Sequence, residues 1–348
     1  MAITEFFSLV TSNGALALAM LLVAMTIFVN GSTDAVNAIA EAVGTRSITF
    51  ERAIVLSVIA NFLGLVISAL TTTAVAATIS GMVDFGGDSH AALIGLTAAM
   101  VAIVVWGSVA WAFGIPTSES HALIAGLSGA AIAVQGGIGG INGAEWVKVL
   151  IGLFLSTVIG FVLGFVLTRI IREIFAFSNY AKTNELFTKV QVAGAGFGAF
   201  MHGAQDGQKF MSIAMLAIML STGRTMAPGE QYPLWLMVGC AGLMSIGTAV
   251  GGKKIVKNVG SGIAKIEKYQ GAAASISSGL SLLASTVWGL PVSTTHTKTA
   301  AIMGAGAAKN VKFVRWQVAQ EMVLTWVLTF PGCGLIGFVL AKLFLVLF

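Results

Sequence analysis

Two short stretches place ionisable and amide side chains inside long apolar runs: NGSTDAVN at 30–37 and HGAQDGQK at 202–209. A carboxylate in hydrocarbon is costly unless it is paired or hydrated, so Asp34 and Asp206 need partners. Each is flanked by glycine and by oxygen-bearing side chains. Thr33, Asp34 and Asn37 in the first stretch, and Gln205 and Asp206 in the second, supply hydroxyl, carboxylate and amide oxygens. Hard cations such as Na+ take that donor set. For one aspartate alone, a structural bond to a broken helix end would suffice. Two at equivalent places favour a cation site, with Asp34 and Asp206 as its charged ligands.

A second pair of motifs offers the opposite chemistry. PTSESH at 116–121 and PVSTTH at 291–296 each run from a proline through a hydroxyl cluster to a histidine, and an apolar segment follows. Proline suits the first turn of a helix and serine or threonine its N-cap. Simple capping is the plain reading. The free N–H groups and positive dipole end of such a helix also favour an oxyanion. Thr117, Ser118, Ser120, Ser293, Thr294 and Thr295 then offer hydroxyl donors, joined by Thr33 and Gln205. Glu119 replaces the threonine of the other half and is a candidate proton or cation group. His121 and His296 either brace the tips or carry protons. Lys209 follows Asp206 by one helical turn and reads first as its ion-pair partner, with Gln208 as a neighbouring support. Lys298 has no acidic residue nearby in sequence, which leaves direct attraction of an anion.

The elements that must position these groups follow from the wider pattern. The 348 residues are 57% hydrophobic and 9% charged, far fewer charges than soluble domains carry, so lipid is the expected solvent. Runs long enough to span or enter a bilayer read as 13–43, 53–80, 91–114, 117–136, 146–171, 190–221, 232–251, 271–290, 292–308 and 316–347. Breaks are expected inside the first and sixth, at the two aspartate motifs. Both motif pairs recur in the same order, the aspartate motif 172 positions on and the hydroxyl motif 175 positions on. This defines a first repeat at 1–173, a polar linker at 174–187 and a second repeat at 188–348. Fourteen of the 19 basic residues collect in 44–52, 169–189, 252–268 and 309–315. By the positive-inside rule these segments are cytoplasmic. A continuous tracing then requires 91–136 and 271–308 to be re-entrant hairpins. Three full crossings remain per half, so the halves are inverted, with both termini outside. The expected fold is an all-α polytopic membrane protein, an inverted-topology repeat with broken helices and two re-entrant hairpins, and the site lies at the midplane. No cleavable signal is apparent at the N-terminus. The basic balance is used by the loops, so no nucleic-acid partner is expected. Cys240 and Cys333 suggest neither a disulfide frame nor a metal cluster.

Taken as a set, these motifs resemble the inorganic phosphate transporter (PiT) family. HGAQDGQK and PVSTTH are similar to its repeated signatures, and NGSTDAVNA resembles a variant of its Gly-x-Asn-Asp-x-x-Asn-Ala motif. The resemblance covers both halves. Thr33 and Gln205 stand where the family usually has asparagine, and Ser-Glu-Ser stands opposite Ser-Thr-Thr. The resemblance implies secondary transport of inorganic phosphate driven by a cation gradient, with Na+ favoured over H+, in a homodimer in the cell membrane. Sulfate, carried by some similar bacterial proteins, is the alternative substrate. A channel would need a continuous polar lining. A membrane enzyme would need a nucleophile set beside a base, and neither that, nor HExxH, nor a phosphate-binding loop is present. No organic cofactor is expected.

Overall fold

The structure is a computed structural model; it describes residues 1–113, 118–224, 230–259 and 266–348. It is almost wholly helical. The helices are α1 (Ile3–Ser12), α2 (Gly14–Thr33), α3 (Ala40–Gly44), α4 (Phe50–Thr71), α5 (Ala74–Gly81), α6 (Ser89–Phe113), α7 (Glu119–Gln135), α8 (Gly143–Ile174), α9 (Tyr180–Thr222), α10 (Leu234–Val259), α11 (Lys268–Val287), α12 (Thr294–Lys309) and α13 (Trp316–Leu347). Six helices among the described residues are long and apolar enough to cross a membrane. Their outward residues form lipid-type stripes. On α4, Val55, Ile59, Leu63, Ile67 and Leu70 are exposed at helical spacing, and α8 presents Leu150, Phe154, Val158 and Val162 in the same way. By contrast, α7 and α12 are buried nearly all round. The helices that carry the hydroxyl motifs are therefore wrapped by other helices rather than by lipid.

The helices pack by exchange. α7 lies on α13 as α12 lies on α8, and α4 lies on α9 as α10 lies on α2. The glycines show why these pairs fit. A Cβ at Gly31 of α2 would stand 2.1 Å from the Met244 carbonyl oxygen, and one at Gly203 of α9 would stand 2.2 Å from that of Asn61. Gly64 and Gly247 meet the carbonyls of Phe200 and Phe28 in the same manner, at 2.0 and 2.2 Å. Gly129 and Gly304 meet those of Gly334 and Phe161, at 1.9 and 2.0 Å. Each contact in one half has its counterpart in the other. Small residues of this kind let helix backbones touch where no hydrophobic effect drives association.

The two helical hairpins enter from opposite ends of α9. The base of α6–α7 is closed by the Val83–Ile141 bridge and by Asp84 N–H donating to the Gly140 carbonyl at 2.8 Å. The first residue of α6, Ser89, lies beside Gly223 at the α9 C-terminus. The base of α11–α12 is closed by the Lys309–Glu267 ion pair, and Lys268 donates to Thr188 near the α9 N-terminus at 2.8 Å. Asp206 lies 18 residues after Thr188 and 17 before Gly223, about 27 and 25 Å along the helix. Both hairpin tips reach this midpoint.

Some expected boundaries shift. α2 does end at the first aspartate motif: the chain passes through a 3-10 segment, Ala35–Ile39, before α3. The expected break at HGAQDGQK is absent, for α9 is a continuous helix of 43 residues. Gly203 and Gly207 serve close packing on Asn61 and Leu65, and the polar side chains find lateral partners, so nothing forces the backbone open. The 53–80 run is two helices parted at Thr72 and Thr73, and Tyr180–Phe187 of the polar linker already belong to α9.

Candidate functional site

Asp206 is fully buried at the centre of α9. Its Oδ1 accepts from Lys209 Nζ at 2.6 Å and from Ser120 Oγ at 3.5 Å. Its Oδ2 accepts from Thr294 Oγ1 at 3.3 Å and from Asn30 Nδ2 at 3.4 Å, and His202 Nε2 stands 3.1 Å away. One carboxylate thus joins α2, α7, α9 and α12. Lys209 uses its remaining protons on Ser120 Oγ (2.8 Å) and the Val292 carbonyl (2.5 Å). All three protons are engaged, and the expected ion pair with Asp206 is present. Lys209 is therefore a knot between the two hairpin tips. His202 is itself oriented by Asn61 Oδ1, 2.7 Å from its Nδ1.

Asp34 stands where α2 ends. Its Oδ1 accepts from Thr295 Oγ1 at 3.1 Å, and Thr295 Oγ1 in turn accepts from Asn37 Nδ2 at 3.0 Å. Neighbouring hydroxyls at the tip of α12 thus reach the two aspartates, Thr294 to Asp206 and Thr295 to Asp34. Ser293 caps α12 by accepting from the His296 N–H at 3.3 Å. Gln205 holds the same tip: its Nε2 donates to Thr286 Oγ1 (3.0 Å) and the Leu290 carbonyl (3.3 Å), and its Oε1 accepts from the Val292 N–H (3.5 Å). With its amide committed to the backbone, Gln205 positions the tip. Gln208 points elsewhere, its Oε1 accepting from the Ala76 N–H at the start of α5 (3.4 Å).

The tip of α7 supplies the other half. Thr33 Oγ1 donates to Glu119 Oε1 at 2.6 Å. Among the described residues, Glu119 Oε2, Asn30 Oδ1 and Ser118 Oγ are buried without a hydrogen-bond partner. Orphaned acceptor oxygens on α2 and α7 beside Asp34 make a donor set suited to a small hard cation. Thr117 lies outside the described residues. His121 and His296 meet ring to ring, 4.9 Å between centroids, and Trp326 Nε1 donates to His296 Nδ1 at 2.8 Å. The histidines brace the two tips against each other and against α13.

Between these groups lies a small cavity lined by Asp34, Asn37, His202, Ser278, Thr294, Thr295 and Lys298, among others. Its free volume is about 10 Å³, room for a water-sized particle. Lys298 has an acidic partner after all, an ion pair with Glu41 of α3, whose carboxylate also accepts from Ser275. Sequence separation hid this pair, since Glu41 and Lys298 lie in different halves.

The profile of the phosphate transporter family matches residues 30–337. The chain belongs to the phosphate transporter family. It is 39% identical over 311 residues to a "probable low-affinity inorganic phosphate transporter" of Bacillus subtilis, covering 89% of this chain and 91% of that one. A protein of the same description from Rhizobium meliloti is 35% identical over 310 residues, covering 89% and 90%. The solved structure of "the sodium-dependent phosphate transporter" superposes with a TM-score of 0.85 over 97% of this chain and all of that one, at 20% identity. As a member of this family the chain is a membrane transporter and not an enzyme.

Sequence reasoning passed over three residues that the structure brings into this central cluster, Asn30, Ser278 and Glu41. Asn30 and Ser278 looked like ordinary small polar residues in an apolar run. Glu41 was the clearer signal, an acidic residue inside the run 13–43, where a carboxylate needs a partner.

Proposed function

We propose that this chain is a secondary active transporter that moves inorganic phosphate across the cell membrane together with Na+. The observation that carries the reading is the junction of Thr294 with Asp206 and of Thr295 with Asp34, at 3.3 and 3.1 Å. A hydroxyl-rich helix N-terminus suited to an oxyanion there touches two carboxylates that would repel one. Lys209 already offsets Asp206, and a cation held by Asp34, Glu119 and the nearby oxygens of Thr33 and Asn37 removes the rest of that repulsion. Bound cation therefore raises phosphate affinity, and by linkage phosphate raises cation affinity by the same factor. Phosphate then draws on Ser118, Ser120, Thr294, Thr295 and the ammonium of Lys298, at a helix N-terminus that Ser293 caps. Na+ is preferred to H+ because the donor set is oxygen-rich and because the structural neighbour is described as sodium-dependent.

Exposure switches as the first repeat, 1–173, moves against the second, 188–348, about the centre where both hairpin tips meet. The basic loops support termini that face outside, and the family resemblance supports a homodimer. The test is uptake of labelled phosphate into proteoliposomes, with Na+ and pH gradients imposed separately and sulfate as competitor. Uptake should follow the Na+ gradient and resist sulfate. Uptake driven by the pH gradient alone reassigns the coupling ion, and full inhibition by equimolar sulfate reassigns the anion.

A further inference from the structure

A chain of polar contacts through Lys298, Glu41, Gln191 and Thr45 links the central cavity to a larger vestibule. The vestibule measures about 700 Å³ and is lined by Thr45, Arg172, Glu267, Lys268 and Lys309, among others. It lies on the face where the basic residues collect, the face read as cytoplasmic. From the cavity outward, the first link is Lys298, which lines the cavity, in its ion pair with Glu41 and beside Ser275. The second link is Gln191. Its Nε2 donates to the Glu41 carbonyl at 3.2 Å, and its Oε1 accepts from Thr45 Oγ1 at 2.8 Å and Ser47 Oγ at 2.6 Å. α11 packs on this link, since a Cβ at Gly271 would stand 2.0 Å from the Gln191 amide nitrogen. Thr45 belongs to both the linked contacts and the vestibule.

We propose that Glu41 competes with phosphate for Lys298, and that the Glu41–Lys298 pair is the latch between the binding cavity and the vestibule. The inference rests on the cavity being the anion site. A carboxylate and a phosphate present the same kind of oxygen to an ammonium, but the phosphate brings more charge and more acceptors. With the site empty, Glu41 neutralises Lys298 and ties α3 to α12. Phosphate seated beside Thr294 and Thr295 takes over the ammonium. The freed carboxylate turns toward the water of the vestibule. Because Gln191 holds the backbone of Glu41 as well as Thr45 and Ser47, α3 and the loop after it move together, and the linked contacts open toward the vestibule. Glu41 is already imperfectly satisfied, since its Oε2 is buried without a partner among the described residues.

The test uses the full chain with Cys240 and Cys333 replaced by serine and Ser278, which lines the cavity, replaced by cysteine. A membrane-impermeant methanethiosulfonate is applied to the vestibule face, and the labelling rate is measured with and without phosphate. Labelling should be slow without phosphate and rise about tenfold with it, as one decade of closed population opens. Glu41→Gln should label fast without phosphate and gain little from its addition. If that variant fails to fold, Ser275→Ala, which loosens the same carboxylate without stranding a charge, should shift the rate in the same direction. A phosphate-free rate equal to that of the parent, in whichever of the two variants folds, overturns the latch. Binding of labelled phosphate to the parent is measured alongside: its absence would refute the anion site, while the phosphate-free comparison still decides the latch.

Discussion

Asp34 and Asp206 stand at equivalent places in the repeat but not in equivalent electrostatic surroundings. Asp206 has Lys209 at 2.6 Å, whereas the Asp34 carboxylate accepts from the Thr295 hydroxyl, which Asn37 in turn bonds. Removing one member of a buried ion pair strands the other charge and costs about 3–5 kcal/mol. Asp206→Asn should therefore lower the melting temperature in detergent and reduce the folded yield. Asp34→Asn should keep the fold and lose the cation dependence of phosphate affinity. Phosphate binding at several Na+ concentrations, beside thermal melts of both variants, checks this. Equal melting losses with intact Na+ dependence would contradict both roles. Ser293 and Thr294 separate in the same way. Ser293→Ala removes a helix cap, worth about 1 kcal/mol of stability. Thr294→Ala removes a hydrogen bond to a charged group, about 1.5–3 kcal/mol, and should weaken phosphate affinity roughly ten- to a hundredfold. The aspartates and hydroxyls were legible because each is costly in an apolar run and each recurs. The partners were not. No local pattern links Glu41 to Lys298 or Asn61 to His202, because those contacts exist only once two helices cross.

At the scale of the element, α9 shows why a glycine-bearing polar motif need not break a helix. Its polar groups bond sideways to α2, α4, α7 and α12, and the motif's glycines, Gly203 and Gly207, lie against Asn61 and Leu65 of α4. Sequence alone carries the residue types but not the neighbours that satisfy them, so a break and a packed crossing read alike. The two cases respond differently to a methyl group. Gly203→Ala would force a Cβ to within 2.2 Å of the Asn61 carbonyl oxygen. The backbones must then part, an overpacking cost of about 1–3 kcal/mol. Gly239→Ala in α10 meets open space and should be neutral or stabilising by up to about 1 kcal/mol. Melting temperatures of the two variants in one detergent decide the matter. A Gly203→Ala protein as stable as the parent would mean that α9 and α4 do not touch there.

At the scale of the whole molecule, exchange packing and the opposed hairpins turn two copies of one pattern into one site. α7 enters from the end of α9 near Gly223 and α12 from the end near Thr188, so each hairpin tip presents a helix N-terminus to the same midpoint. The repeat and the charge pattern made this architecture legible, because lipid allows few arrangements and loop charge sets their direction. Sidedness is the consequence most open to test. If the basic loops are cytoplasmic, Lys182 near the start of α9 is inside. Asp88, just before α6, and Ile138, exposed in the turn after α7, are then outside. In a background lacking Cys240 and Cys333, single cysteines at these positions are labelled with an impermeant maleimide on intact cells. Those at Asp88 and Ile138 should react at once, and the one at Lys182 only after the membrane is opened. The opposite pattern would turn the molecule over, placing the vestibule and its latch on the outer face while leaving the central site unchanged.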